Sequence, residues 1–594
     1  MNFFKTFLAT LLGIFTSLFL LFLVFIGFVM VSSSEPAPQV DANSVLTINL
    51  TGDIPAYVVP SPLEELIDPA ATNRISLESL KANLTKAAAD DNIQAVWVKT
   101  NIVGASWANL ETARQYFQDF KESGKLLYFS TDDIGMNEKS YFLATAADGI
   151  YSPPNTNFEF DGFVTQMTFY ADMLDKIGLK PQVFRVGKYK SAVEPFLQTS
   201  SSLESREQMR EIMGSAASTF VAAVTERTGK TPDEINTMLN SAPINRINFA
   251  VQEGLIDSLA FEDEVEEIIK KAIGTDDEEL ETITFSRYSK VSKGSAGIDT
   301  NYQDDKVAVI YTSGAIMPDL GSTPFGGSQM ITADDVQEQI EDALDDSKVK
   351  AIVVHINSPG GSATTSDLIW NTLKKASEKK PVIASMGSVA ASGGYYMAMG
   401  ADTVVAGPNT ITGSIGIFSV LFNTNELLED KIGLDFETLT THEYADLYDL
   451  TDAFTPAEER ILQQNTENGY ETFLSRVAEN RGMTRDEVHE LAQGRVYTGT
   501  AAHEVGLVDV VGDIETAIAL AAEMSEMESW RIEIYPKPKG LYEALFNTAN
   551  TQAQMLLRGW IPEMARQPIE QVSLYQHGSN VQSWAIMPLR YEIN

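Results

Sequence analysis

The strongest constraint on this chain is that most of its sequence occurs twice. Segments match in order at a spacing of about 250–260 residues. SVLTINLTGDI from Ser44 pairs with KVAVIYTSGAI from Lys306, each an apolar strand pattern ending near a glycine. ISLESLKANLTKAAADDNIQAVWVKTN from Ile75 pairs with ITADDVQEQIEDALDDSKVKAIVVHIN from Ile331, an amphipathic helix followed by a buried strand. ATAADGIYSPPNT from Ala144 pairs with AMGADTVVAGPNT from Ala398, and AVQEGLIDSL from Ala250 with AHEVGLVDVV from Ala502. One match would be coincidence; several in the same order mean an internal duplication. Helices alternate with short apolar strands, so each copy is expected to be an α/β domain. The expected domains are 45–298 and 305–536, joined by a linker at 299–304 and followed by a tail at 537–594.

The region before the repeats is different. Residues 7–31 form an uncharged apolar run of about 25 residues, and about 20 helical residues span a bilayer core. A cleaved signal peptide is the competing reading, but its apolar core is shorter, roughly 7–15 residues. We therefore expect a retained, single-pass anchor. Lys5 precedes it and the next basic residue is Arg74. The positive-inside rule then leaves residues 1–6 in the cytoplasm and the domains outside, in the periplasm of a Gram-negative host. Residues 32–44 read as a short tether.

Composition narrows the function. Lys and Arg number 43 against 82 Asp and Glu, a formal charge of −39, so phosphate backbones are repelled and no nucleic-acid partner is expected. The same acidity also suits plain solubility. The chain has no cysteine and five histidines, His355, His442, His489, His503 and His577, none in HxxxH or HExxH spacing. Thiol chemistry is excluded, and no metal or other cofactor is expected. His355 lies inside a buried-strand pattern and reads as a core residue.

Chemistry shows where the copies diverge. After its buried strand the second copy has Asn357-Ser358-Pro359-Gly360-Gly361, where the first has Asn101-Ile102-Val103-Gly104-Ala105. Paired glycines leave backbone N–H groups unshielded, as an oxyanion site requires, although an ordinary strand-to-helix turn uses them too. Further on, Ser392 stands in Ala390-Ala391-Ser392-Gly393-Gly394, opposite Glu138 in the first copy. Small neighbours suit an exposed nucleophile, and also a closely packed helix start. A serine nucleophile needs a base. No histidine fits, but Lys190 in Gly187-Lys188-Tyr189-Lys190-Ser191 falls opposite Ala445. Serine survives in one copy and lysine in the other, as one site shared by two domains would require. Most lysines are solvated; as a base, Lys190 must be buried and neutral.

These residues carry a resemblance. GKYKSAVEPF from Gly187, NSPGGS from Asn357, AASGGYY from Ala390 and TGSIGIF from Thr412 resemble motifs of the long, two-domain form of the signal peptide peptidase A (SppA) family. NSPGG alone also occurs across the wider ClpP–crotonase fold. The resemblance implies two tandem ClpP/crotonase-like α/β domains behind one transmembrane helix. It implies a serine protease with Ser392 as nucleophile and Lys190, not Lys188, as general base. It also implies Gly360, Gly361 and the N–H of Gly393 as the oxyanion hole, with Ser414 orienting the lysine amine. Cleaved signal peptides and other short apolar peptides are the implied substrates, and a homotetramer on the inner membrane the implied assembly. A non-proteolytic membrane scaffold would have lost the dyad. A crotonase-type acyl-CoA enzyme would want a cytosolic location and a basic patch.

Overall fold

A computed structural model describes residues 38–59, 74–241, 246–275, 279–299, 304–319, 330–537 and 584–586, with scattered positions between 6 and 17. Most of the expected anchor at 7–31 lies outside the described residues, as do parts of the tether and most of the tail. Among the described residues no helix is long and apolar enough to cross a membrane.

The first half contributes β1 (Ser44–Gly52), β2 (Ile93–Val103), β3 (Leu126–Thr131), β4 (Gly135–Met136), β5 (Gly149–Ser152), β6 (Asn157–Phe158), β7 (Lys180–Arg185), β8 (Ser258–Leu259) and β9 (Thr282–Thr284). Six of them form one parallel sheet in the order β8-β5-β3-β2-β1-β9. Parallel neighbours need crossovers, and the helices Leu77–Ala89 and Trp107–Lys121 supply two of them. Val96, Trp97 and Val98 on β2 have no exposed surface, so both faces of the sheet are covered.

The second half contributes β10 (Lys306–Ser313), β11 (Ala315–Ile316), β12 (Met330–Ile331), β13 (Val349–Ser358), β14 (Gly360–Ser362), β15 (Val382–Ala391), β16 (Thr403–Ala406), β17 (Ile411–Gly413), β18 (Phe418–Asn423), β19 (Val496–Thr498), β20 (Val510–Val511) and β21 (Arg531–Tyr535). Its sheet repeats the first one strand for strand: β21, β10, β13, β15, β16 and β20 take the places of β9, β1, β2, β3, β5 and β8. The register repeats as well. Gly135 pairs with Asn157 in one half and Val389 with Ile411 in the other. Even the caps agree: Ser76 accepts the N–H of Ser79 at one helix start, and Thr332 that of Asp335 at its counterpart. The two halves thus share one α/β architecture, duplicated along the chain.

A third, mixed sheet joins the halves, in the order β12-β11-β14-β22-β18-β7, where β22 is Trp584–Ile586 from the tail. β7 leaves its own half and pairs antiparallel with β18, Arg185 opposite Phe418 and Lys180 opposite Asn423. Leu174, Val193 and Phe196 from the first half pack with Phe418, Val420 and Phe422 from the second. Each such buried side chain contributes roughly 1.5–3 kcal/mol relative to exposure, so this seam is held by its own small core. The helix Leu203–Thr228 closes it further, with Gln208 Oε1 accepting the buried N–H of Val496 at 2.8 Å.

Candidate active site

Ser392 sits between the last residue of β15 and the helix Gly393–Ala398. Its backbone is held at φ +56°, a value that costs an L-residue about 1–3 kcal/mol and persists only when neighbours impose it. They do: the Ser392 N–H donates to Gly413 O at 2.8 Å, and Ser392 O accepts from Tyr396 N at 2.8 Å. The sharp turn takes the side chain out of the strand direction and aims it at the seam between the halves.

Lys190 arrives there from the other side. It follows β7, and the pairing of β7 with β18 carries it across. Its Nζ lies 2.7 Å from Ser392 Oγ, 2.9 Å from Ser414 O and 3.0 Å from Ser414 Oγ. Lys190, Ser392 and Ser414 have no exposed surface. Burial without a neutralising partner holds the Lys190 pKa well below the ordinary lysine value. Lys188, two residues earlier, is exposed and lies over the Tyr189 ring.

The glycine pair of NSPGG flanks Ser392 on β14. Gly361 is pressed against β11 so closely that a Cβ would stand 1.9 Å from Ile316 O, which is why no side chain is tolerated there. The Gly360 N–H donates to Ser358 Oγ at 3.1 Å. Gly393 is the first residue of its helix, where an N–H has no partner within the helix.

The sequence comparison missed one contributor. The Gln493-Gly494-Arg495 loop of the second half clasps the lysine. Gln493 O accepts from Tyr189 N at 2.9 Å, Gly494 N donates to Ile415 O at 2.8 Å, and Arg495 O accepts from Ser414 N at 2.6 Å. Gly494 is at φ +80°, and a Cβ on it would stand 2.6 Å from Lys190 Cβ. A lone Gln-Gly pair in a sequence reads only as a turn, so nothing marked it.

Among the described residues the histidines lie elsewhere. His355 is buried on β13 with Nδ1 3.1 Å from Ser385 Oγ, and burial pushes its pKa down to about 4. His489 meets Tyr470, and His503 the carbonyl of Val508. Among the described residues no group of side chains could hold a metal ion. At the position equivalent to Ser392, Glu138 is buried and accepts from Asp161 N at 2.9 Å. Beside it Tyr141, Phe158, Phe160 and Phe220 pack edge to face, stacked or tilted, so the first half holds a core where the second holds a site.

Residues 119–275 and 374–528 match peptidase family S49, once in each half, and residues 327–412 match the Clp protease family. The chain is 34% identical to the chloroplastic serine protease SPPA of Arabidopsis thaliana, over 83% of this chain and 71% of that one. It is 32% identical to protease 4 of Salmonella typhi, over 93% and 90%. With protease 4 of Haemophilus influenzae the identity is 30%, over 84% and 83%. The chain belongs to peptidase family S49. It is an SppA-type serine protease. In this S49 protease the two family segments are not two independent units, since β7 of one completes the sheet of the other.

Proposed function

We propose that this S49 protease is a membrane-anchored endopeptidase that digests cleaved signal peptides and other short apolar peptides through a Ser392–Lys190 dyad. The observation that carries the reading is the 2.7 Å contact between two wholly buried groups, an amine and a hydroxyl, with no charge beside the amine. A neutral amine has two hydrogens and one lone pair. The hydrogens donate to Ser414 O and Ser414 Oγ, and the lone pair accepts the Ser392 hydroxyl proton as Oγ attacks the peptide carbonyl. N–H groups of Gly361 and Gly393, with Gly360 if Ser358 releases it, hold the developing oxyanion. The ammonium of Lys190 then protonates the leaving amine, and the C–N bond breaks to give an acyl-enzyme on Ser392. Water, deprotonated by Lys190, attacks the ester and restores the serine. The test is labelling with a fluorophosphonate probe: wild type should react covalently, Ser392→Ala should not, and labelling of the variant at the wild-type level would reject the assignment.

The anchored, periplasmic placement rests on the 7–31 run and Lys5. Protease added to spheroplasts should then digest the domains, and protection until the inner membrane is lysed would reverse the orientation. For a homotetramer, support comes from the duplication. The counterparts of β7 and β18 in the opposite halves are residues 435–440 and 164–169, and neither is in a ladder. Residues 430–445 are exposed throughout, including Leu434, Phe436 and Leu439, and Val164 is exposed as well. A second chain would pair these segments as β7 and β18 pair within one. Such a contact is head-to-tail, and it gives a closed ring of four where successive copies are related by a quarter turn.

A further inference from the structure

The first half grips the strands around Ser392 at a second place, apart from the lysine. Ser392 follows β15, and its N–H donates to Gly413 O at the end of β17. Ser388 stands four positions before Ser392 on β15, and Asn409 four before Gly413. Both are held by one helix of the first half, Trp107–Lys121, and its N-cap. Ser388 Oγ donates to Asn109 Oδ1 at 3.1 Å and lies 2.5 Å from Ser106 Oγ. Asn409 donates from its side chain to Glu111 Oε1 at 2.8 Å and from its backbone to Glu111 Oε2 at 3.3 Å. Thr219 closes the cluster, donating to Glu111 Oε1 at 3.3 Å and accepting from Asn409 Nδ2 at 2.7 Å. Burial raises the Glu111 pKa, and the bonds from Asn409 and Thr219 oppose that rise. The other copy shows what the same helix does without this contact. Glu111 is the fifth residue of its 15-residue helix, and the fifth residue of the matching helix Ala363–Ser377 is Asp367. Asp367 Oδ1 accepts from Tyr396 OH at 2.8 Å and from Arg476 Nε at 3.1 Å, both in its own half. The half that lacks the serine therefore reaches into the half that has it.

We infer that Glu111 is a positioning residue for the nucleophile: by holding Asn409 it fixes β17, whose Gly413 carbonyl keeps Ser392 in its strained turn. The inference rests on Ser392 as the nucleophile. The path from Asn409 to Ser392 has little slack. Thr410 Oγ1 donates to Gly387 O at 2.7 Å, Val389 pairs with Ile411, and Ala391 pairs with Gly413. The φ of +56° at Ser392 persists only while such neighbours impose it. Without the carboxylate, the backbone N–H of Asn409 loses its acceptor, and the loop ahead of β17 must shift to find another. That shift is passed along β17 to the hydrogen bond that holds Ser392. Glu111 touches no reacting atom, so its removal should appear in kcat and leave KM nearly unchanged.

The test measures kcat and KM of full-length variants on an aminomethylcoumarin amide of an apolar tetrapeptide. A reacting group misplaced by about 1 Å costs about 10²-fold, so a smaller displacement in Glu111→Ala should lower kcat about tenfold, with KM within about twofold of wild type. Asn409→Asp sets a carboxylate against the Glu111 carboxylate at almost unchanged size and should lower kcat to a similar degree. Exchanging the pair, Glu111→Gln with Asn409→Asp, puts an amide donor opposite a carboxylate acceptor again and should bring kcat back to within about threefold of wild type. That rescue separates positioning from plain loss of packing, which the exchange would not repair. Wild-type kcat in Glu111→Ala would overturn the inference. So would an exchanged pair no faster than Asn409→Asp alone, and this comparison decides the matter if Glu111→Ala does not fold. Fluorophosphonate labelling of wild type but not of Ser392→Ala is independent of all these results, so the reading of Ser392 and the role of Glu111 fall separately.

Discussion

Lys190 Nζ and Ser392 Oγ are 2.7 Å apart although 202 positions separate them in the chain, and the three oxygens around the amine are all uncharged. The contact is made inside one chain. It exists because β7 crosses from the first half to pair with β18 in the second.

Removing either member should silence the enzyme. Ser392→Ala and Lys190→Ala should each leave less than about 1% of wild-type turnover on a fluorogenic peptide, and the double variant should be little worse, because groups acting as one unit are not additive. Lys188→Ala should stay near wild type. A fragment starting at residue 305 lacks the lysine and should be inactive. Turnover by that fragment, or near-normal turnover by Lys190→Ala, would refute a site shared between the halves.

The depressed pKa of Lys190 has two pH signatures. The rate should rise with pH as the amine loses its proton, with a midpoint well below the ~10.4 of a free lysine. Stability should follow the same group. Between the lowered folded value and the unfolded value near ~10.4, the unfolded chain binds the extra proton, so stability increases with pH across that window. Lys190→Met removes the titration. The melting temperature of wild type should therefore gain on that of Lys190→Met between neutral pH and about pH 10. A constant difference across the range would show that the lysine is not neutral in the folded protein.

Gly494 should prove indispensable without touching substrate. Alanine there must adopt φ +80° and would set its Cβ 2.6 Å from Lys190 Cβ. The amine would shift from its 2.7 Å contact, and a displacement of about 1 Å in a reacting group costs about 10²-fold. Gly494→Ala should lower kcat by that order while the circular dichroism spectrum and KM change little. Wild-type kcat would show that the loop does not position the lysine.

Assembly should depend on the unpaired repeat. Leu439 is 88% exposed in a segment whose counterpart is the paired strand β7. Leu439→Asp should reduce the mass measured by light scattering to that of a single chain and leave the fold intact. An unchanged mass would place the interface elsewhere.

The sequence alone determined the architecture, because repetition and periodicity are local properties. SVLTINLTGDI and KVAVIYTSGAI could be aligned without knowing where either strand lies. The reciprocal loss of serine at Glu138 and lysine at Ala445 was legible for the same reason: duplicated copies serve as each other's control. What the alignment could not supply was distance. Whether Lys190 reaches Ser392 in its own chain depends on the crossing of β7, a pairing between segments far apart in sequence. That Gly360 gives its N–H to Ser358, and that Gly494 braces the lysine, are contacts with no periodic signature. The tail held no pattern to read. Its strand β22 is defined wholly by the edges it pairs with, since three residues have too little local propensity to form a strand alone, and only the folded molecule provides those edges.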